Sequence, residues 1–520
     1  MNIERYKTNL AKKNKLDRIP KNIELNLLEG RKLVSKPMRT QSGVAPVAIM
    51  TKPFNCPHGS CTYCPGGLKS KFGDVPKSYT GNEPASMRAK RNNYDAYLQV
   101  FNRLEHYVLL QQMPEKVELI IMGGTFLSYP NKYQDEFVTE AFQAMNDFGK
   151  LFFVKDKLDF KKFKDFFEFE LDFRSEERTK RLIKKILKLK KKGTHPFQPS
   201  DLEEEQKKNE KSKIKCVALV IETKPDWCFE KEIKQALKLG VTRMEIGVQH
   251  LEDPILKKVK RGHTIKDTIE ATRLLKESLI KVVYHIMPGL PGSSMEKDIW
   301  VFKELFSNPD FKPDGLKIYP CMVMPGTELH EDYMEGKFKP ITTEQAIKVI
   351  SKGKGFIPEY CRVYRVQRDI PTKYTTSGVD VTNLRQYVDF DCKCIRCREP
   401  KNREVNWNKV KLIKREYEAS EGKEIFLSFE ENNILLGFLR LRLDKKAGVR
   451  EMHTYGTAAK IGEKGKVQHR GLGKKLLKEA EKISKEEGRK KLRIISGIGV
   501  RDYFRKLGYK KEGFYMVKEL

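Results

Sequence analysis

Apolar, β-branched runs recur along the first two thirds of the chain, and each closes on Thr, Gly, Gln or Pro. They read APVAIMT (45–51), KVELIIMGG (116–124), CVALVIET (216–223), RMEIGVQ (243–249), KVVYHIMPG (281–289) and GLKIYP (315–320). Between them lie stretches with the helical apolar period, such as TIKDTIEATRLLKESL (264–279). Continuous apolar strands alternating with amphipathic helices predict a parallel sheet covered by helices. Six such units predict an α/β fold built on a partial (β/α)6, TIM-like barrel, with its chemistry at the C-terminal ends of the strands.

Two stretches break this rhythm. Residues 155–213 are dense in charge and aromatics and then almost wholly polar. They predict a solvated helical insertion, with a basic RNA-facing element as the sharper reading because Phe and Lys interleave. Further on, VYRVQRDIPTKYTTSGVD resets the pattern and the cysteine-rich DCKCIRC follows. From about residue 402 a smaller α/β domain is expected: strands EIFLSF, ILLGFLRLRL and EMHTYG, a Gly-rich loop and helix, strand KLRIIS, then a short helix. The expected organisation is a basic arm over 1–40, a barrel over 41–345, a cysteine-bearing linker over 346–401 and the second α/β domain over 402–520.

Charge adds a partner class. The 520 residues include 103 Lys and Arg against 70 Asp and Glu, a net charge of +33. Such a surplus draws a polyanion, nucleic acid ahead of an anionic membrane. A thermophile-like enrichment in Lys and Glu would raise both signs and leaves the excess unexplained. No apolar run approaches the ~18–20 residues that span a bilayer, and the charged start has no apolar signal core. A soluble, cytoplasmic protein is expected, in which clustered cysteines serve metal or redox chemistry.

Three of the ten cysteines, Cys56-x4-Cys61-x2-Cys64, fall on one loop after the first strand. A structural zinc wants four ligands, and His58 could complete such a set; a [4Fe–4S] cluster uses three thiolates and leaves one iron open. Gly123 and Gly124, in MGGT after the second strand, suit close approach of the backbone to a ligand, though a plain turn uses the same pair. Set in a six-unit barrel, the three-cysteine loop resembles the radical S-adenosylmethionine (SAM) enzymes, departing by one residue from the spacing common there. That resemblance implies a [4Fe–4S] cluster on Cys56, Cys61 and Cys64, with SAM on the open iron and near Gly123 and Gly124.

Gln468-x-x-Gly471-x-Gly473 lies at the mouth of an amphipathic helix, where backbone N–H groups bind pyrophosphate. With a strand before the loop, a strand after the helix and VRDYFRKLGY next, the order is similar to the GNAT acetyltransferases. This implies that Glu451, Met452, His453 and Thr454 pair with the pantetheine of acetyl-CoA, and that Gly471, Leu472 and Gly473 grip its pyrophosphate. Tyr503 would stand near the thioester sulfur, where a phenol protonates the leaving thiolate; by itself it reads equally as a core tyrosine.

The fusion of both halves resembles the catalytic subunit of Elongator and its single-chain archaeal relatives, the tRNA uridine(34) carboxymethyltransferases. SYTGNEPASMRAKRNNYDAY, VELIIMGGTF, IETKPDWC, GLPGSSMEKD, RVQRDIP and GVRDYFRKLGY carry the likeness, among other segments. The chain departs from eukaryotic members in the closer spacing of Cys56 and Cys61 and in Tyr503-Phe504, where they have Tyr-Tyr. The resemblance implies an acetyl-CoA contact at Lys116, which alone reads as a solvated strand-start charge. Cys392-x-Cys394-x2-Cys397 suggests a structural zinc between the domains, a site the family also has, with the fourth ligand open among Asp391, Cys361 and a distant His.

The implied reaction takes hydrogen from the acetyl-CoA methyl group with a SAM-derived radical. The carbon radical adds to C5 of the wobble uracil, and thioester hydrolysis leaves a carboxymethyl group. The partner would be a tRNA anticodon stem-loop, which presents an unstacked base, held at its phosphates by the basic arm and MRAKR (87–91). An external electron donor is required, and a homodimer stays open. Two other classes compete: a protein lysine acetyltransferase whose cluster is structural, and a tRNA-binding scaffold that senses acetyl-CoA.

Overall fold

A computed structural model describes residues 3–13, 19–29, 43–169, 175–191, 198–388, 391–401, 403–455 and 471–520. Gln468 and parts of the expected arm and insertion lie outside the described residues.

Seven strands form one parallel sheet in chain order: Val44–Met50, Lys116–Met122, Lys215–Thr223, Arg243–Gln249, Lys281–Ile286, Gly315–Ile318 and Arg362–Val366. They are called the first to seventh barrel strands below. The partial barrel is as expected, with one strand more than the six units. The seventh falls within 346–401, where a linker is expected, because RVYRV is short and carries arginine at every third position instead of an apolar run. Helices such as Ala96–Leu109 and Asn131–Phe152 cover the outer face, and Val47, Ile49, Leu119 and Ile121 are fully buried beneath them.

The first strand is an edge, and side chains rather than an eighth strand satisfy it. The Tyr107 hydroxyl donates to Pro46 O at 2.7 Å and Arg88 to Ala48 O at 2.5 Å. The Gln99 amide takes both polar groups of Met50, at 2.8 and 2.9 Å. An edge closed in this way resists pairing with another chain.

The insertion is only partly the solvated element expected. Phe163 and Phe167 of helix Phe160–Phe167 are fully buried and pack, edge-on or tilted, against Phe148 and Phe152 of the barrel's covering helix. These two rings are spent on the core. The insertion's last helix, Pro199–Lys211, reaches the second domain: Glu210 pairs with Arg501 at 3.2 Å and Arg505 at 2.6 Å.

That domain holds a second seven-stranded sheet. In spatial order its strands are Lys411–Ala419, Gly422–Glu431, Ile434–Leu443, Ala447–Thr454, Lys491–Ile494, Tyr515–Glu519 and Lys510–Glu512. Every pairing is antiparallel except that of Ala447–Thr454 with Lys491–Ile494. This parallel contact covers only Ala447–Val449 against Leu492–Ile494, after which the strands part.

The second domain sits on the N-terminal ends of the barrel strands. Arg450 meets Asp314, just before the sixth strand, and donates to Ile280 O, just before the fifth. Gly497 presses on the third strand so closely that a β-carbon would lie 2.0 Å from Val217 O. The three-cysteine loop follows the C-terminal end of the first strand, so the two expected sites face opposite mouths of one barrel.

Candidate functional site

The upper mouth is a cavity bordered by Cys56, Cys61, Cys64, Gly124, Gln249 and Arg261. Each sulfur has a polar neighbour. The Arg261 Nη1 lies 3.6 Å from Cys61 Sγ, the Ser78 N–H donates to Cys64 Sγ at 3.3 Å, and Thr125 Oγ1 is 4.0 Å from Cys56 Sγ. Burial raises the Cys56 thiol, Cys64 and Cys61 add to this, and Arg261 opposes it. Lys224 also borders the cavity, its pKa lowered by burial and then by Arg261. A cavity of thiols ringed by cations suits an anionic cluster more than a neutral ligand.

Spacing separates the two metal hypotheses. Among the described residues, Cys56, Cys61 and Cys64 do not form a group close enough to ligate one ion, with or without His58. Burial, then Lys224, lowers His58 to about 3, and its Nε2 lies 3.3 Å from Cys61 Sγ. Thiolates on three different irons stand farther apart than ligands of one zinc, so the loop fits a cluster. The buried Gln249 Oε1 at the cavity wall has no protein partner, as expected where a ligand supplies one.

Of the glycine pair, only Gly124 borders the cavity. Gly123 has φ +133°, and a β-carbon there would lie 2.1 Å from Thr51 Oγ1. Its need for glycine comes from backbone shape and from packing against the loop that leads to Cys56.

At the lower mouth, the splayed strands give a second site. Beyond Val449 the edge of Glu451–Thr454 is no longer paired to Lys491–Ile494, and helix Leu472–Glu486 begins beside it with Gly471 at φ +76°. Met452, Gly473 and Tyr503 come together here: a β-carbon on Gly473 would be 3.5 Å from the Tyr503 hydroxyl and 3.7 Å from Met452 Cε. Tyr503 is 37% exposed and burial raises its pKa, so it is a proton-bearing phenol facing the gap. An extended amide chain can pair with the free strand edge, and a pyrophosphate can sit on the helix start; the gap therefore fits acetyl-CoA.

The side chains of Glu451 and His453 instead line an interdomain cavity with Pro46, Glu118, Lys281 and Tyr364. Glu451 pairs with Lys281 of the fifth barrel strand and, at 2.8 Å, with Arg440. Burial alone would raise its carboxyl, but Lys281 and Arg440 outweigh this and hold it at about 2. Burial lowers His453 to about 4, and its buried Nε2 lacks a protein partner. Lys116 starts the second strand at this same end of the barrel, with its side chain exposed.

The sulfurs of Cys392, Cys394 and Cys397 lie within 4.8 Å of one another and could hold a metal ion. Hydrogen bonds from the Cys392 and Cys397 thiols hold Cys394 well below the usual thiol range, the arrangement of ligands around one ion. Asp391 and Cys361 are not in this group, and no histidine among the described residues joins it. Arg385 Nη2 lies 3.7 Å from Cys397 Sγ, and both border the interdomain cavity.

Sequence reasoning missed the inner wall of the barrel. Arg243 joins Glu118 at 2.6 Å and Glu245 at 3.2 Å; Lys317 pairs with Glu245 and, at 3.5 Å, with Glu222; Tyr79 donates to Glu222 at 2.9 Å. The signal was the alternation within RMEIGVQ, where Arg243, Glu245 and Gln249 share one face.

Residues 52–304 match the radical SAM superfamily, 313–394 its C-terminal domain, and 392–509 the acetyltransferase (GNAT) family. The tRNA uridine(34) acetyltransferase of Methanocaldococcus infernus is 47% identical, over 94% of this chain and 88% of its own. The Elongator complex protein 3 of Dictyostelium discoideum is 38% identical, over 100% and 91%. The chain belongs to the Elongator complex protein 3 family. A solved structure of the archaeal Methanocaldococcus infernus Elp3 lacking its N-terminus (1–46) covers 92% of this chain and 100% of that one, at 41% identity and a TM-score of 0.72. Membership of the radical SAM superfamily implies a [4Fe–4S] cluster and SAM, and the GNAT match implies acetyl-CoA as acyl donor. Among the described residues of this family member, no helix is long and apolar enough to cross a membrane.

Proposed function

We propose that this enzyme attaches a carboxymethyl group, drawn from acetyl-CoA, to C5 of the wobble uridine of tRNA. The observation that carries the reading is the pairing of Glu451 with Lys281, which fastens the acetyl-CoA strand to the lower mouth of the radical barrel. A freestanding acetyltransferase would have no reason to turn this strand toward a second catalytic domain. The names of the relatives supply the substrate class, since those at 47% and 46% identity are tRNA uridine(34) acetyltransferases.

Cys56, Cys61 and Cys64 would hold the cluster, with Gly124 bordering the SAM site. Glu451 to Thr454 would present their free strand edge to the pantetheine, Gly471 to Gly473 would bind the pyrophosphate, and Tyr503 would hold the proton for the leaving thiolate. Cys392, Cys394 and Cys397 would fix the linker through zinc. SAM bound at a reduced cluster supplies the radical that makes an unactivated methyl group reactive. Arg385, Arg396 and Lys401, on the interdomain cavity, offer cations to the phosphates of an unstacked anticodon loop.

Anaerobic reconstitution with SAM, acetyl-CoA, a reductant and tRNA, followed by nucleoside mass spectrometry, tests this. 5-Carboxymethyluridine at position 34 is expected. Its absence with an intact cluster, together with acetylation of protein lysines without SAM, would establish the lysine acetyltransferase instead.

A further inference from the structure

The cysteine loop between the domains also presents charge to the interdomain cavity. Cys394 precedes the short helix Ile395–Arg398, so Arg396 sits between two of the three clustered thiols, and it borders that cavity. Its Nη1 donates to Tyr364 O of the seventh barrel strand. Two residues on, Arg398 is buried and pairs with Glu430 of the second domain at 2.8 Å. Arg385, from the turn Leu384–Gln386, borders the same cavity. Its Nη1 donates to Val363 O at 3.2 Å, and its Nη2 lies 3.7 Å from Cys397 Sγ. Arg362 is balanced there by Glu399 at 2.5 Å. Among the described residues, neither Arg385 nor Arg396 pairs with a carboxylate; strand carbonyls and a cysteine sulfur hold them instead.

We infer, on the tRNA reading of this cavity, that zinc on Cys392, Cys394 and Cys397 controls its affinity for RNA phosphates by holding Arg385 and Arg396 in place. A helix of four residues is too short to persist by its own hydrogen bonds. Ligation of Cys394 and Cys397 to one ion ties it at its start and again one residue before its end. Arg396 then has its backbone fixed by the metal and its side chain by the Tyr364 carbonyl. Arg385 is fixed through the Cys397 sulfur, since a metal ligand and its hydrogen-bond partner orient each other. Half-buried cations without a counter-charge favour an incoming anion, and a guanidinium matches phosphate oxygens two at a time. The phosphates of coenzyme A fit this place less well. Successive residues of a strand point to opposite faces: Glu451 and His453 line this cavity, whereas Met452 meets Gly473 on the other face, where the pyrophosphate is proposed to bind.

RNA binding tests this without relying on turnover. The full chain is titrated into a labelled anticodon stem-loop RNA across a range of salt and read by fluorescence anisotropy. Arg385→Gln with Arg396→Gln removes two phosphate contacts. The slope of log affinity against log salt should fall by about 1.4, at roughly 0.7 per contact on a single strand, with coenzyme A affinity unchanged. Anaerobic dialysis of the parent against a zinc chelator, with zinc and iron content measured, should shift the slope equally, and returned zinc should restore it. Cys392→Ala should follow the zinc-free protein, and Cys392→His, which keeps a ligand, should follow the parent.

The deciding arm combines the two changes. In the double arginine variant, zinc removal should not alter the slope further. A further loss there means that the metal acts on the fold at large and overturns the inference. An unchanged slope in the zinc-free parent overturns it too, as does an arginine variant that loses coenzyme A in place of RNA. If the parent makes no modified uridine while RNA affinity still follows zinc through the two arginines, the functional reading fails and the zinc-controlled site stands.

Discussion

Arg450 of the acetyltransferase domain meets Asp314 of the barrel with both carboxylate oxygens engaged, at 2.5 and 2.9 Å, and neither side chain is exposed. Arg440 lies 3.5 Å from the same carboxylate, and Arg450 also binds Glu424 at 3.0 Å. This buried set fixes how the strand Ala447–Thr454 faces the barrel. Asp314→Asn would leave two buried guanidiniums short of charge, and breaking a buried pair in this way costs roughly 3–5 kcal/mol. Chemical denaturation should show that loss; unchanged stability would mean that the network is not what holds the domains.

The interface should also weaken in acid. Glu451 sits at about 2 against an unperturbed 4.5, and Asp314 is likewise depressed, because the attraction of Arg450 and its neighbours outweighs burial. A depressed carboxylate contributes stability that is whole above its unfolded pKa and is lost as pH falls through the folded one. For Glu451 that is roughly 3 kcal/mol, surrendered between about pH 4.5 and 2. Glu451→Gln should flatten the stability-against-pH curve in this window, and a slope as steep as the parent's would contradict the assignment.

Gly123 offers a local test. Gly123→Ala meets both a φ of +133° and Thr51 Oγ1 at 2.1 Å, and the backbone part alone costs roughly 1–3 kcal/mol. Adding Thr51→Ala removes the clash but not the backbone strain. The double variant should therefore recover part of the lost melting temperature, and full recovery would show that packing alone requires the glycine.

Most of the fold could be read from the chain because the barrel strands are buried on their outer face and carry apolar residues in sequence. The exceptions share a cause. Arg362–Val366 completes the sheet with one arginine, Arg362, on the interdomain cavity and another, Arg365, on the cysteine cavity, and the inner wall spends Glu222, Glu245 and Lys317 on one another. Charged residues inside a strand look like surface until the partner strands are known. Phe163 and Phe167 failed the other way, since a Lys-rich neighbourhood made core rings look exposed. Among candidate site residues, those of one local motif fall together in space: Cys56, Cys61 and Cys64 share one cavity, and Gly473, Met452 and Tyr503 converge. Arg261 and Lys224 lay far from Cys56 in sequence, and only folding brings them to the sulfurs.

Tyr503 should act on the reaction more than on binding. Tyr503→Phe keeps the ring against Gly473 and Met452 but removes the proton. Turnover of acetyl-CoA in the presence of tRNA should fall about 100-fold, the low end for a general acid, with acetyl-CoA affinity nearly unchanged by calorimetry. Loss of affinity with unchanged turnover would make the phenol a binding group.

In the proposed reaction the methyl carbon of acetyl-CoA is the carbon placed on uridine by radical chemistry in this one chain. Trideuterated acetyl-CoA, supplied anaerobically with SAM, reductant and tRNA, traces that carbon and the hydrogen it gives up. Doubly deuterated 5-carboxymethyluridine is expected, together with 5′-deoxyadenosine carrying one deuterium. Unlabelled 5′-deoxyadenosine beside trideuterated acetyl groups on RNA or protein would contradict that reaction.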